Sequence, residues 1–155
     1  MRLTRYTDYS LRMLIHLGLR QDRLCSIREV AEAYGISENH LMKVAHQLGL
    51  HGFVRTVRGR GGGLALARPA ADIRVGEVVR RTEEDMALVE CFSPGGTCPI
   101  AGVCTLQATL GEALEAFMAV LDRYTLADML VPSGPMAARL GLALPAEPVS
   151  EPSLS

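Results

Sequence analysis

The fold of this chain is decided by residues 26–49, which read SIREVAEAYGISENHLMKVAHQLG. Ser26 and Glu29 have the spacing of a capping box, in which each side chain satisfies an amide at the start of a helix. The helix that begins there has one apolar face and should end at Gly35. A second helix follows Ser37, a good N-cap residue. Two short helices joined by a glycine turn predict a helix-turn-helix.

The outward face of the second helix carries hydrogen-bonding and cationic side chains. Apolar residues at helical spacing occupy its other face, so the polar residues should be exposed. Side chains of this kind read base edges and bind phosphates. The DNA-binding residues predicted here are Ser37, Asn39, His40 and Lys43, with Glu38, His46 and Gln47 beside them. An ordinary solvated helix has the same composition, so this face does not decide the function alone.

A basic, glycine-rich hairpin follows the second helix. Residues 53–57 alternate apolar and polar side chains like a strand, and residues 64–67 can return beside them. The loop between them reads RGRGGG, and the DNA contacts predicted on it are Arg58, Arg60, Gly61 and Gly62. Glycine lets the backbone approach DNA closely, and arginine suits the narrow, negative minor groove. The phosphate-binding loop of an enzyme leads from a strand into a helix, whereas a second strand follows here.

Length and charge favour a small DNA-binding protein. The chain has 155 residues, of which 48% are hydrophobic, enough for one compact domain with a dimerisation element. Residues 1–82 hold 14 Lys/Arg against 7 Asp/Glu, whereas residues 83–155 hold 2 against 10. The basic part is the one expected to meet a polyanion. There is no apolar run of about 18 residues and no apolar core of a signal peptide, so we expect a cytoplasmic protein without a membrane segment.

Helices should flank the helix-turn-helix on both sides. Thr7 can cap a helix that runs to about Leu19, and Asp72 can cap another that ends near Thr82. The expected fold is therefore mostly α with a small β-hairpin wing. It consists of a winged helix-turn-helix domain, residues 1–82, and a long dimerisation helix.

Three cysteines lie on a loop rich in glycine and proline, within residues 83–104. Cys91, Cys98 and Cys104 are separated by six and five residues. In a reducing compartment, clustered thiols are more often metal ligands or redox groups than disulfides, and thiolates suit zinc or iron-sulfur clusters. Structural zinc sites usually pair ligands two to four residues apart, so the wide spacing favours a cluster. A zinc-stabilised module and a thiol switch are the alternatives.

This cysteine loop supplies three ligands, and a fourth has to come from elsewhere unless one iron is left open. No histidine occurs after residue 51. Cys25 is the remaining thiol, but its place beside the Ser26 cap suggests a small, semi-buried residue. A carboxylate is the other choice. An iron with a weak or missing protein ligand would react with small diatomic molecules, which suits a sensor.

A long amphipathic helix is expected within residues 105–131. Its apolar stripe consists of Leu106, Leu110, Ala113, Leu114, Phe117, Leu121 and Tyr124. This face is too large for a lone helix, so it should pack against a second copy in a homodimer. Packing on its own winged helix is the alternative. Residues 132–155 hold five prolines and no aromatic residue, and a flexible tail is expected there.

Three stretches together resemble one known family, the winged-helix iron-sulfur regulators that include IscR and NsrR. They are LTRYTDY at residues 3–9, the RGRGGG wing, and YTLAD at residues 124–128. The similarity covers about residues 1–130. IscR-type members place a histidine three residues after the last cysteine, where this chain has Gln107. The chain is therefore more similar to the NsrR-type members.

The resemblance implies a homodimeric transcription repressor that binds double-stranded DNA at a palindromic operator. It also implies an iron-sulfur cluster, 4Fe-4S rather than 2Fe-2S, held by Cys91, Cys98, Cys104 and Asp8 of the partner subunit. In NsrR-type proteins nitric oxide nitrosylates the cluster iron, and the DNA is released. An IscR-like regulator that senses cluster supply or redox state is the alternative within the family.

A cysteine-dependent oxidoreductase is the main interpretation from another class. The chain lacks a Cys-x-x-Cys pair and a second domain that could form a cleft, and its four histidines all lie in the half expected to read DNA. We therefore expect that the chain is not an enzyme.

Overall fold

The computed structural model describes residues 1–144, which are mostly helical with one two-stranded hairpin. The main elements are α1 (Arg5–Leu19), α2 (Ile27–Tyr34), α3 (Glu38–Leu50), β1 (Val54–Val57), β2 (Gly63–Leu66), α4 (Val75–Thr82), α5 (Thr105–Arg123), α6 (Leu126–Met129) and α7 (Ser133–Arg139). Short 3-10 turns lie at Ala70–Asp72 and Glu90–Phe92. The expected fold class, a mostly α winged helix-turn-helix with a β-hairpin wing, is confirmed.

Helix α1 is at the centre of the core. Its apolar stripe buries Met13, Leu14 and Leu17 completely or nearly so. Helices α3, α4 and α6 and strand β2 all pack on it. Phe53, just before β1, is fully buried in the same cluster. Full burial of side chains of this size stabilises a fold by roughly 1.5–3 kcal/mol each. The apolar face of α1 is therefore a main source of the stability of the core.

The N-terminal cap of α1 is Thr4, and the prediction that Thr7 caps it is wrong. Thr4 Oγ1 accepts a hydrogen bond from the Thr7 amide at 3.2 Å, while Thr7 itself is buried in the first turn. A capping side chain has to precede the amide it satisfies by two or three residues, and Thr4 has that spacing. The Thr4 amide donates to Glu83 Oε1 at 2.8 Å, which ties the start of α1 to the residue after α4.

Helix α2 opens with half of the predicted capping box. Ser26 Oγ accepts from the Glu29 amide at 3.1 Å, as expected. The Glu29 carboxylate, however, binds the Arg23 guanidinium through contacts of 2.8 and 2.6 Å. A guanidinium offers two parallel donors and a full charge, so it is the stronger partner for the carboxylate. Gly35 ends α2 in the left-handed conformation with φ +64°, as predicted.

Helix α4 begins without the cap predicted from Asp72. Asp72 closes the turn Ala70–Asp72, and its amide donates to the Pro69 carbonyl at 2.9 Å. Ile73 is extended and α4 begins only at Val75, so Asp72 lies two residues before the N-cap position. Arg74 takes the N-cap position and makes no capping bond with its side chain.

The wing is a regular antiparallel hairpin in which Val54 lies opposite Leu66. Strand β2 also pairs, on its other edge, with the chain that precedes α2. The Cys25 amide donates to the Leu64 carbonyl at 2.9 Å, and the Leu64 amide donates to the Cys25 carbonyl at 2.7 Å. The wing is therefore joined to the helix-turn-helix by main-chain hydrogen bonds as well as by the chain itself.

Helix α5 leaves most of its surface uncovered. Among its 19 residues, all of which the structure describes, Met118 is the one that is buried. The helix packs along α4, where Arg80 binds Asp122 through two contacts of 2.6 Å. Leu106 and Val120 are 63% and 42% exposed. The described part of the chain therefore covers the apolar stripe expected to form the dimer only in part. Leu106 and Tyr124 stay exposed, whereas Leu110, Leu114, Phe117 and Leu121 are half-buried.

The segment 105–131, expected to be one dimerisation helix, contains two helices. Tyr124 has φ −101° and ψ 140°, which ends α5. Helix α6 then turns back onto α1, and Leu126 becomes 2% exposed. Leu130 packs so closely on Gly18 that an added Cβ at position 18 would lie 2.8 Å from its side chain. Residues 124–131 thus belong to the body of the winged helix.

The first part of the expected flexible tail is helical. Within α7, Ala137 is 2% exposed, so this short helix packs against the body of the protein. The Arg20 guanidinium donates to the Ala143 carbonyl. The structure therefore differs from the prediction at residues 133–139, where apolar residues at helical spacing can cover the domain. Residues 145–155, the remainder of the predicted tail, lie outside the described residues.

Candidate nucleic-acid interface and metal centre

Helix α3 presents the predicted recognition residues to solvent. Its apolar face is buried against α1 and α2, and its polar face is open. The exposed residues include the four predicted DNA contacts, Ser37, Asn39, His40 and Lys43. The Ser37 side chain makes no capping bond to the helix, so its hydroxyl is available for a phosphate.

Met42 belongs to the same surface, although it was not predicted. It is 53% exposed and lines a shallow groove with Asn39, Lys43 and His46. An exposed thioether can contact the methyl group of thymine, so Met42 has the chemistry of a base contact. The spacing of the buried positions already excludes it from the core, but its apolar character favours a core interpretation.

The tip of the wing is exposed and tightly turned. Arg58, Arg60 and Gly61 all face solvent. Gly61 has φ +75°, and the Gly62 amide donates to the Gly59 carbonyl at 3.0 Å. A Cβ at Gly62 would lie 2.9 Å from that carbonyl oxygen, so the turn requires glycine there. The two arginines are thus held on a narrow projection, the shape that enters a minor groove.

The cysteine loop holds three free thiols, none of them disulfide-bonded and each half-buried. Cys91 lies in the turn Glu90–Phe92, and Cys104 is the N-cap residue of α5. Gln107, on the first turn of α5, accepts from the Gly102 amide at 2.9 Å and donates to the Cys91 carbonyl at 3.5 Å. One side chain therefore fastens both ends of the loop to α5.

The three loop thiols are not arranged around a single ion. Within residues 1–144, one group of at least three His, Cys, Asp or Glu residues has its ligand atoms within 4.8 Å of one another. That group contains none of the three loop cysteines. A tetrahedral zinc ion, with Zn–S bonds of about 2.3 Å, holds its thiolates about 4 Å apart. An iron-sulfur cluster binds each thiolate at a different iron and so needs a wider spacing. The structure therefore does not assemble the three thiols as the ligands of one zinc ion, and three free thiols on one loop are donors of the kind that an iron-sulfur cluster takes.

Asp8 lies on the first turn of α1, beside Arg12. Its carboxylate forms an ion pair with that guanidinium, with N–O distances of 2.7 and 3.0 Å, and is 45% exposed. The Arg12 guanidinium lies 6.0 Å from the Tyr9 ring, and that ring lies 6.3 Å from the ring of His40 on α3. A chain of contacts thus runs from Asp8 to the recognition helix. The structure does not bring Asp8 together with the loop thiols of its own chain.

Cys25 is separate from the other cysteines and fully buried. Burial raises the pKa of its thiol to about 11. The sequence suggested a semi-buried structural residue, and the structure buries the side chain further than that.

A winged helix with an exposed polar recognition helix and a basic wing defines a DNA-binding transcription regulator. The chain matches the Rrf2 model, described as an iron-dependent transcriptional regulator, over residues 3–132. The chain belongs to the Rrf2 family of transcriptional regulators, which confirms the family resemblance.

Relatives and a solved structure agree with this assignment. The chain is 54% identical over 132 residues to the HTH-type transcriptional regulator NsrR of Bacillus subtilis, covering 84% of this chain and 90% of that one. It is 51% identical to NsrR of Geobacillus kaustophilus over the same shares. The structure of T. potens IscR superposes with a TM-score of 0.71 at 26% identity, covering 87% of this chain and 90% of the other.

These relatives are named as transcriptional regulators, which agrees with the expectation that the chain is not an enzyme. In residues 1–144, no helix combines the length and the apolar character needed to cross a membrane.

Proposed function

We propose that this protein is a homodimeric repressor whose affinity for a palindromic DNA operator depends on an iron-sulfur cluster. In this proposal the cluster, 4Fe-4S rather than 2Fe-2S, is bound by Cys91, Cys98, Cys104 and Asp8 of the partner subunit. Nitric oxide is the signal that lowers DNA affinity. The observation that carries the proposal is the set of three free thiols on a loop fastened to α5 by Gln107. The NsrR name of relatives 54% and 51% identical supports it.

The DNA-binding part of the proposal assigns different roles to α3 and the wing. The exposed face of α3, with Asn39, His40 and Lys43, is suited to the major groove, where base pairs have distinct donor and acceptor patterns. Arg58 and Arg60 on the wing are suited to phosphates or the minor groove. Two copies of this surface, related by the two-fold axis of a dimer, would recognise a palindrome.

When bound, the cluster would supply iron that reacts with nitric oxide. The protein's own residues do the rest. Cys91, Cys98 and Cys104 would hold the cluster on the loop that Gln107 fastens to α5, and Asp8 of the partner subunit would join it to the other winged helix. A ligating carboxylate is generally oriented by a hydrogen-bonding neighbour, and Arg12 holds Asp8 in this way.

Coupling to DNA would pass through α1. If the bond between Asp8 and the loop is lost, the Asp8–Arg12 pair is free to move, and Arg12 is also close to the Tyr9 ring. Tyr9 in turn packs near His40 on the recognition helix. A hard carboxylate is a weaker match for cluster iron than a thiolate, so Asp8 should be the first ligand to leave. The shift in DNA affinity cannot exceed the free energy by which ligation favours one conformer.

Anaerobic DNA binding tests the proposal directly. Holo, apo and nitric-oxide-treated protein are titrated against operator DNA, and iron and sulfide are assayed in each sample. We expect tight binding by the holo protein and release on treatment. Equal operator affinity in the holo and treated samples would overturn the nitric-oxide switch.

Cysteine variants test the ligands in the same assay. Cys91→Ala, Cys98→Ala and Cys104→Ala should each lose the visible absorption of the cluster. Cys25→Ala is the matched control and should keep it, because Cys25 lies in the core away from the loop. A colourless Cys25→Ala protein beside a coloured loop variant would contradict the assignment.

A further inference from the structure

Three side chains with metal-binding chemistry meet in the winged helix, outside the cysteine loop. His16 comes from α1, Cys25 from the segment before α2, and Glu29 from the first turn of α2. Their ligand atoms all lie within 4.8 Å of one another. His16 and Cys25 are 0% exposed, and the Glu29 side chain is 23% exposed.

The imidazole of His16 is the unusual member of this group. Both of its ring nitrogens are buried, and neither has a hydrogen-bond partner among the described residues. The nearest carboxylate oxygen, Glu29 Oε1, lies 3.5 Å from Nε2. Buried polar atoms without partners are costly and rare in folded proteins. A ligand that accepts the lone pair of one ring nitrogen would remove part of this cost.

Two of the three groups are already in the protonation state that binds a cation. Burial lowers the pKa of His16, so its ring is neutral near pH 7 and has a free lone pair. The hydrogen bond from Arg23 lowers the pKa of Glu29, which keeps its carboxylate charged. Cys25, with its pKa raised to about 11 by burial, is protonated. A metal ion would therefore displace the thiol proton into solvent on binding.

We propose that His16, Cys25 and Glu29 form a second metal site, which takes one divalent transition-metal ion. Zinc is the best chemical match, because it binds imidazole nitrogen, thiolate sulfur and carboxylate oxygen in one tetrahedral set. Three protein ligands leave the fourth position to water. The site shares no residue with the cysteine loop and does not depend on the proposed sensor function.

Arg23 competes with the metal ion for Glu29. Its guanidinium contacts both carboxylate oxygens, at 2.8 and 2.6 Å, and lies 4.0 Å from Cys25 Sγ. The Arg23 side chain is 43% exposed and borders an open groove together with Glu29 and Glu32, so it can swing into solvent. The same groove is the path by which an ion would reach the site. Binding would exchange one cation, the guanidinium, for another.

The position of Cys25 gives the site a structural consequence. Its main chain is hydrogen-bonded in both directions to Leu64 of the wing. An ion bound to its thiolate would join α1, α2 and strand β2 of the wing at one point. The expected result is a more stable winged helix, because an ion that binds the folded state alone stabilises it by mass action.

Cobalt binding to a variant with one cysteine tests the site. The triple variant Cys91→Ser/Cys98→Ser/Cys104→Ser leaves Cys25 as the one thiol of the chain. Anaerobic titration with Co²⁺ should produce thiolate-to-cobalt charge-transfer absorption that saturates at one equivalent. Adding His16→Gln or Glu29→Gln to this variant should weaken binding at least tenfold, and Arg23→Gln should strengthen it. Absence of the absorption in a folded variant, or its persistence at full affinity in His16→Gln, would overturn the proposal.

A second measurement uses the full chain with its loop cysteines intact. Zn²⁺ should raise the thermal midpoint of the wild-type protein by a few degrees. Cys91→Ser is the matched control and should keep this rise, whereas Cys25→Ser and His16→Gln should lose it. An equal rise in all four proteins would mean that zinc binds elsewhere and would contradict the site.

Discussion

At the scale of single residues, Asp8 is the position where the proposed sensor function can be tested against a purely structural role. It lies near the start of α1, where its ion pair with Arg12 is a sufficient structural role. Both side chains are nearly half exposed, so the pair is worth about 0–1 kcal/mol. Replacing Asp8 should therefore change stability very little, which makes any larger effect on sensing easy to recognise.

The first prediction follows from this. Asp8→Ala should keep a cluster on three cysteines but weaken the coupling between nitric oxide and DNA release. Asp8→Cys should bind the cluster more firmly and respond more slowly, since thiolate suits the iron better than carboxylate. Stopped-flow release of labelled operator after addition of nitric oxide measures both effects.

Asp22→Ala is a suitable control, because Asp22 forms a similar ion pair with Arg20 at 3.0 Å. It should behave like the wild type. If nitric oxide releases DNA from both Asp8 variants as it does from the wild type, Asp8 has no role in sensing and serves only as the ion-pair partner of Arg12.

Residue-level roles were partly predictable from the sequence. The spacing of Asp8 and Arg12 is that of an i,i+4 ion pair, and the polar face of α3 follows from helical periodicity. The contact between Tyr9 and His40, by contrast, depends on how α1 and α3 cross, which local spacing does not contain. Met42 was missed for a different reason: helical spacing places it on the exposed face, but its apolar side chain favoured a place in the core.

At the scale of elements, the wing and α3 should affect DNA binding differently. The double variant Arg58→Ala/Arg60→Ala should weaken binding to many sequences and reduce the slope of log K against log salt by about two units. Asn39→Ala or His40→Ala should alter which bases are preferred, by about 1–3 kcal/mol for each lost base contact. Fluorescence anisotropy over a salt series, with operator and mismatched sites, distinguishes the two effects. An unchanged salt slope in the wing variant would argue against this division.

A second prediction at this scale concerns Gln107, because its side chain joins the cysteine loop to α5. Gln107→Ala removes two hydrogen bonds, each worth about 0.5–1.5 kcal/mol, and should speed cluster loss to a chelator by several-fold. Thr109→Ala, on the same helix, removes a bond within α5 and should leave the rate unchanged. The decay of visible absorption gives both rates. Equal rates in the two variants would show that Gln107 does not hold the loop.

The boundaries of the elements were less predictable than their existence. The helix-turn-helix and the wing follow from periodicity and glycine positions. The caps at Thr7 and Asp72 were assigned wrongly for two reasons. Thr4 and Thr7 both lie near the start of α1, and Asp72 belongs to the turn Ala70–Asp72, which ends before α4 begins. Glu29 left its capping box because Arg23 offers it a stronger partner in space.

At the scale of the whole molecule, the uncovered face of α5 predicts a dimer. Val120→Glu and Leu106→Glu introduce charges on residues that are 42% and 63% exposed in one chain. Such exposure means that the single chain should still fold, while an apolar interface could not accept the charges. Sedimentation should therefore find a shift from dimer to monomer, together with weaker binding to a two-half-site operator.

Leu50→Glu is the control for this prediction. Leu50 is 67% exposed at the end of α3, and the variant should sediment like the wild type. If the Val120→Glu protein remains fully dimeric, the dimer interface does not lie on this face of α5.

The overall arrangement was only partly foreseen. A stripe of apolar residues correctly indicated a long helix, but the return of α6 onto α1 depends on the fit of Leu130 against Gly18. Similarly, α7 follows Pro132 and contains Pro135, so the sequence of this segment looked like a tail. These contacts join residues more than 100 positions apart in the chain, and patterns of neighbouring residues do not record them.

The paired hydrogen bonds between Cys25 and Leu64 have a consequence for motion. Both amides are bonded where β2 pairs with the buried segment before α2, so their protons should exchange with deuterium only when the domain opens widely. The amides of the exposed glycines at the tip should exchange orders of magnitude faster. The wing would then adapt to DNA in its glycine-rich loop alone, while its two strands move as one rigid unit with the recognition helix. Fast exchange of the Leu64 amide proton in the free protein would instead show that the whole wing moves relative to the core and becomes ordered only on binding the duplex.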